Sequence, residues 1–120
     1  HGSTFGGNFL STTVGLKALD IMKEQHLCEN ARFMGLYIEQ ELKNKLMGYS
    51  VVKEIRCKGL MIGIGLDSNI IDCSQLVKKA LKDNLLINVT GTTIRMLPPL
   101  IITKEEIDIL ISKLIKLIST

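Results

Sequence analysis

The apolar residues of this chain change period near Gly48, and that change fixes the order of its elements. Across residues 10–46 they recur every three or four positions, and over residues 51–66 they alternate. A spacing near 3.6 gathers apolar side chains on one helix face, whereas a spacing of two gathers them on one face of a strand. Leu10, Val14, Ala18, Ile21 and Met22 predict a first helix, with Asn8 placed to cap it. Leu27, Ala31, Met34, Ile38, Leu42 and Leu46 predict a second helix over about residues 27–46, which Gly48 ends. Residues 51–57 then read as a strand and Lys58-Gly59 as a tight link. In the strand over 60–66, Leu60, Ile62, Ile64 and Leu66 share one face, and Met61, Gly63 and Gly65 share the other. Two glycines on one face leave room for another group to approach.

Asp72 with Gln75 reads as a capping box for a third helix, with Cys73, Leu76, Val77, Ala80 and Leu81 as its apolar stripe. Residues 86–97 read as a hairpin about Gly91, stopped by Pro98-Pro99. Thr103 with Glu106 is a second capping box. It opens a last helix with Ile107, Leu110, Ile111, Leu114, Leu117 and Ile118 toward the core. Two helices, a hairpin, a helix, a hairpin and a helix make an α+β chain. A small, mainly antiparallel sheet with helices on one face satisfies all these stripes. The length, 120 residues, suits one domain.

Composition narrows the partners. The net charge is +3 and dispersed; its densest basic cluster, Lys78, Lys79 and Lys82, falls on one predicted wet helix face. Aromatic residues are 4% with no Trp, so a base-stacking platform for nucleic acid has little to build on. No apolar run reaches the ~18 residues a membrane span needs. The three cysteines, Cys28, Cys57 and Cys73, are odd in number and form no C-x-x-C pair. That argues against a disulfide scaffold or a zinc site and favours a reducing, cytoplasmic setting. His1 in place of Met, directly on a Gly-rich motif, reads as a cut or processed end.

Five places are candidates for chemistry. His1-Gly2-Ser3-Thr4-Phe5-Gly6-Gly7-Asn8 sets hydroxyls and backbone N–H groups before a helix N-terminus, which suits an anion such as a phosphate. It also reads as an ordinary loop with a capping Asn, and no Gly-Lys-Ser/Thr follows to make it a Walker loop. Arg56, in a strand pattern, is either a planar fork for a carboxylate or a surface arginine on an edge strand. Arg95 points away from the face of Ile94 and Met96, as a solvent-facing arginine or one side of an ion pair. Cys57 stands beside the Arg56 cation, which would lower its thiol pKa, but no histidine partner is evident. His26, at a helix junction, reads as a capping or solvated residue, with no metal-ligand spacing around it.

Three stretches together resemble one family. The opening octapeptide is similar to the HGST-[FY]-GGN motif of class III, fold-type I aminotransferases dependent on pyridoxal 5'-phosphate. Arg56-Cys57-Lys58-Gly59-Leu60-Met61-Ile62-Gly63 resembles their R-G-K-G-L-M-x-G strand pair. Ile94-Arg95-Met96-Leu97-Pro98-Pro99-Leu100 resembles their I-R-L-x-P-P-L segment. The wording lies closest to acetylornithine and ornithine aminotransferases, and the order of motifs runs through nearly the whole chain. Two positions depart from the pattern: Phe9 replaces a proline, which should loosen the start of the helix slightly, and Cys57 replaces a glycine, which strains the chain if that position needs a positive φ.

The resemblance implies the C-terminal small domain over residues 1–120, with the phosphate loop and a leading helix in residues 1–25. It implies that Ser3 and Thr4 bind the cofactor phosphate held in a partner subunit, and that Arg56 pairs with the substrate α-carboxylate, or with a glutamate when the dicarboxylate is absent. It implies a homodimer, a large domain of the same enzyme, and amino transfer from N-acetylornithine or ornithine to 2-oxoglutarate in arginine biosynthesis. The lysine that joins the cofactor aldehyde belongs to the large domain, so no catalytic residue is expected here and the chain alone is expected to be inactive. From a different class, a stand-alone small-molecule-binding or regulatory α+β module remains the other expectation.

Overall fold

A computed structural model of the chain describes residues 2–119, so the reading of His1 lies outside the described residues. Its elements are helix α1, Phe9–Glu24; helix α2, Leu27–Leu46; strands β1, Val52–Lys58, and β2, Met61–Leu66; a 3-10 turn, Cys73–Gln75, running into helix α3, Leu76–Lys82; strands β3, Asn88–Thr90, and β4, Thr93–Met96; and helix α4, Lys104–Ile118. The four strands form one antiparallel sheet in the order β1-β2-β4-β3. The two expected hairpins are thus joined edge to edge, β4 lying against β2. The α+β expectation holds.

Helices cover one face of the sheet: α2 lies on β1, α3 on β3, and α4 packs against α2 and α3. The core between them is a single apolar cluster that includes Ile38, Leu42, Ile64, Leu66, Ile94 and Ile111. No polar or charged side chain is buried among the described residues. Helix α4 begins as expected: the Glu106 N–H donates to the Thr103 hydroxyl at 3.3 Å, and the Thr103 N–H donates to the Glu106 carboxylate at 2.9 Å. The box expected at Asp72 does not form. Its carboxylate takes the N–H and hydroxyl of Ser74 instead, at 2.9 and 2.6 Å, which tightens the chain into a 3-10 turn. The α3 stripe is also narrower than expected. Cys73, Leu76 and Ala80 are buried, while Leu81 is exposed.

Helix α1 departs most from expectation. Its apolar stripe is left largely uncovered: Phe9 is 92% exposed, Leu10 76% and Val14 61%, and its principal contact is with α2. The projecting helix stretches the chain to 52 × 31 × 25 Å. The radius of gyration, 17.5 Å, exceeds the roughly 14 Å of a compact chain this long.

Two local features set what the sheet's open face presents. β1 carries a bulge between Val52 and Glu54, so Val52 is buried while Glu54 and Arg56, which strict alternation would place on its side, face outward. Gly59 opens the two-residue turn to β2 with φ +53, a conformation glycine adopts without steric cost. The same glycine touches α2: a Cβ on Gly35 would stand 2.5 Å from the Gly59 carbonyl carbon.

Candidate functional site

The uncovered face of the sheet brings together residues far apart in sequence. Arg56 on β1 lies opposite Gly63 on β2, and Gly63 lies opposite Arg95 on β4, which in turn faces Asn88 on β3. With no side chain at Gly63, its position is open floor between two guanidinium groups. A Cβ placed there would come only to 3.9 Å of the Arg56 head group and 3.7 Å of the Thr93 methyl. The result is a shallow concavity of about 470 Å³ lined by Arg56, Lys58, Met61, Gly63, Thr93 and Arg95. One row along, Glu54 leans over Gly65, and its carboxylate stands 3.4 Å from Arg56. Arg95 has no ion-pair partner among the described residues. Two planar forks on one open face can hold a carboxylate.

Arg56 therefore sits where a carboxylate could reach it. Arg95 is legible in sequence only as a solvent-facing or ion-paired arginine. The signal that would join it to Arg56 is pairing register, since β4 meets β2 only through the sheet order and not through any local turn.

The thiol of Cys57 corrects the sequence reading. It turns to the face opposite Arg56 and packs against the core beside α2. Burial raises its pKa first, the Glu39 carboxylate adds to that, and Lys43 opposes it. The Arg56 cation does not lower it, so Cys57 is no activated nucleophile. Nor is Cys57 strained: it pairs with Ile62 in regular strand register, and positive φ among non-glycine described residues is confined to His26 and Asn84. His26 begins α2 in the left-handed region, φ 51, and makes no side-chain cap; its Nδ1 lies 3.3 Å from the Glu29 carboxylate.

The opening loop occupies a separate place. The Gly6 N–H donates to the Ser3 carbonyl at 3.2 Å, Gly7 has φ +76, and Asn8 caps α1 by accepting the Ser11 N–H at 2.9 Å. Ser3 and Thr4 are exposed, and among the described residues their hydroxyls make no hydrogen bond. Hydroxyls beside the N-terminus of a 16-residue helix fit the phosphate end of a cofactor. No hydrogen bond or ion pair among the described residues joins this loop to the arginine row. Five lysines are engaged by neighbours: Lys43, Lys45, Lys53 and Lys116 are held by carboxylates at 2.6, 2.8, 3.2 and 2.7 Å, and Lys113 donates to the Asn84 carbonyl at 3.0 Å. Among the described residues no group of His, Cys, Asp or Glu could hold a metal ion, and no helix is long and apolar enough to cross a membrane.

Comparison with known proteins follows the same lines. The class-III aminotransferase family matches residues 1–118. The ornithine aminotransferase of Staphylococcus carnosus (strain TM300) is 42% identical over 120 residues, 99% of this chain and 29% of that protein. Acetylornithine aminotransferase 1 of Bordetella bronchiseptica is 40% identical over 119 residues, 98% of this chain and 30% of that protein. Among solved structures, the ornithine aminotransferase of Toxoplasma gondii, described with partial occupancy of PLP at its active site, superposes with a TM-score of 0.89 at 37% identity. The match covers 98% of this chain and 28% of that one. The chain thus spans under a third of the length of these relatives.

Proposed function

Because this chain belongs to the class-III aminotransferases, we propose that it is the C-terminal small domain of a pyridoxal-phosphate aminotransferase acting on ornithine or N-acetylornithine. In this reading residues 1–120 form that domain, and residues 1–25 supply the phosphate loop and the helix leading into it. The whole enzyme passes an amino group to 2-oxoglutarate in arginine biosynthesis, in the cytoplasm, as a homodimer. The cofactor supplies the electron sink for amino transfer. Ser3 and Thr4 take its phosphate through their hydroxyls and the positive end of α1. The names of the relatives support the ornithine and acetylornithine choice, and the PLP at the active site of the Toxoplasma gondii enzyme supports the cofactor.

The observation that carries the substrate reading is the row Arg56, Gly63, Arg95 on the open face. A substrate carboxylate settles over Gly63, between the two forks, and its position orients the reacting end. The alternative of a stand-alone binding module fits less well, because it leaves the apolar stripe of α1 with no purpose. In the full-length enzyme, Arg56→Ala and Arg95→Ala should each raise the KM for 2-oxoglutarate roughly ten- to hundredfold, the range of a charge-assisted hydrogen bond. Thr4→Ala should weaken cofactor retention. Unchanged 2-oxoglutarate kinetics in both arginine variants would remove the carboxylate role. The 120-residue chain alone should show no amino transfer.

A further inference from the structure

Both arginine-bearing strands are fastened to α2, at two different points. The turn that follows β1 meets it where Gly59 touches Gly35. The second point lies just past β4. That strand is four residues long, and Arg95 stands next to its end. Met96 is the last residue in register, opposite Ile62. Pro98 and Pro99 follow, and neither has an N–H to extend the ladder. Short strand ends fray unless something else holds them. Here the chain first turns, the Ile102 N–H donating to the Pro99 carbonyl at 3.0 Å. Asn30, half-buried in α2, then clasps the turn. Its side-chain amide donates to the Leu100 carbonyl at 2.7 Å and to the Ile102 carbonyl at 3.3 Å. An amide carries two N–H groups, one for each carbonyl. The partners are 70 and 72 positions away in sequence, so these bonds set tertiary placement rather than a local turn.

We propose that Asn30 is a positioning residue for Arg95. By holding the exit of β4 to α2, it keeps the end of that strand from fraying and the Arg95 guanidinium in place across Gly63 from Arg56. The inference rests on the carboxylate reading of the arginine row. Helix α2 is then the shared support of the site: Gly35 seats the hairpin that carries Arg56, and Asn30 holds the strand that carries Arg95.

The test is the KM for 2-oxoglutarate in the full-length enzyme, for Asn30→Ala and Asn30→Asp, each alone and combined with Arg95→Ala. Alanine removes the donor. Aspartate keeps the shape but sets a carboxylate against two carbonyls. Both residues suit the start of a helix, so each variant should fold, as circular dichroism checks. Asn30→Ala should raise KM about two- to tenfold, the span of one neutral hydrogen bond, and Asn30→Asp should raise it further. Neither should add to the effect of Arg95→Ala, because the group through which Asn30 acts is then gone. Tyr37→Phe is the control: it removes another α2–α4 hydrogen bond, from Tyr37 to Asp108 at 2.8 Å, and should leave KM at the native value. If Arg95→Ala raises KM while the Asn30 variants keep the native value, the role of Asn30 is overturned and the carboxylate reading stands. The same holds if the Asn30 effect persists undiminished without Arg95, or if Tyr37→Phe reproduces it, since either outcome means general loosening. A native KM in Arg95→Ala would remove Arg95 from the site and the proposal with it.

Discussion

Gly35→Ala tests how the arginine-bearing hairpin is positioned. Gly35 is buried in the middle of α2, and its added Cβ would meet three backbone atoms of Gly59, at 2.5 to 2.6 Å. Ordinary contact begins near 3.4 Å, so helix and turn must separate by almost an ångström. Overpacking of this kind costs about 1–3 kcal/mol, and the upper end applies because backbone cannot rotate aside as a side chain can. Alanine returns about 1 kcal/mol of helix propensity. The net loss is about 2 kcal/mol, or roughly 8 °C in melting temperature for a domain of this size. Chemical and thermal denaturation of the 120-residue chain followed by circular dichroism measure it. Gly15→Ala on α1 is the control, because nothing lies within 4 Å of its Cβ. There the propensity gain should stand alone, up to about 1 kcal/mol, read as higher helicity. A Gly35→Ala chain as stable as the native one would show that α2 does not rest on the Gly59 turn.

Thr103→Ala removes the capping box of α4 and should cost about 1 kcal/mol, measured by urea denaturation. The carboxyl of Asp67 is held below its usual pKa by the Asn69 N–H and by Lys53, and that of Asp72 by the hydroxyl and N–H of Ser74. A depressed folded pKa stabilises above the unfolded value near 4 and is lost as pH falls through the folded one. Asp67→Asn and Asp72→Asn should therefore destabilise at pH 7 and converge with the native chain in acid, as denaturation midpoints across pH would show. The Tyr37 hydroxyl is pushed up to about 12 by donating to Asp108 at 2.8 Å, with burial and nearby carboxylates adding to it. Its contribution is complete below about pH 10 and lost as pH rises toward 12, so Tyr37→Phe should flatten alkaline unfolding over that window. Thiol labelling at mildly alkaline pH should reach the exposed Cys28 first and leave the half-buried Cys57 and the buried Cys73 behind.

Much of the fold is legible because its elements are bounded by strong local signals. The apolar stripe places the second helix over Leu27–Leu46, and the Thr103–Glu106 box fixes the start of α4. Asp72 fails as a box for an equally local reason: Ser74 lies nearer than Gln75 and offers both an N–H and a hydroxyl. The α1 stripe is apolar as its spacing implies, yet it is not core, since periodicity shows which face seeks cover and not whether this chain supplies it.

The site shows where local reading stops. Arg56 and Arg95 are 39 positions apart, and only the pairing of β2 with β4 sets them either side of Gly63. The outward aim of Arg56 depends on the bulge after Val52, which no turn residue announces. Strict alternation from Val52 would put Arg56 and Glu54 on the helix-covered face, where unpaired charge is costly. The alternation of Ile55 and Cys57 already carries that information, because those two residues need the core and force their neighbours out. Gly63 and Gly65 complete the arrangement as two vacancies on one strand, one left open between the arginines and one filled by Glu54. A larger residue at 63 would close the floor between the forks, and one at 65 would unseat the carboxylate. The chemistry of this face therefore resides as much in the two positions that lack side chains as in the three that carry charge.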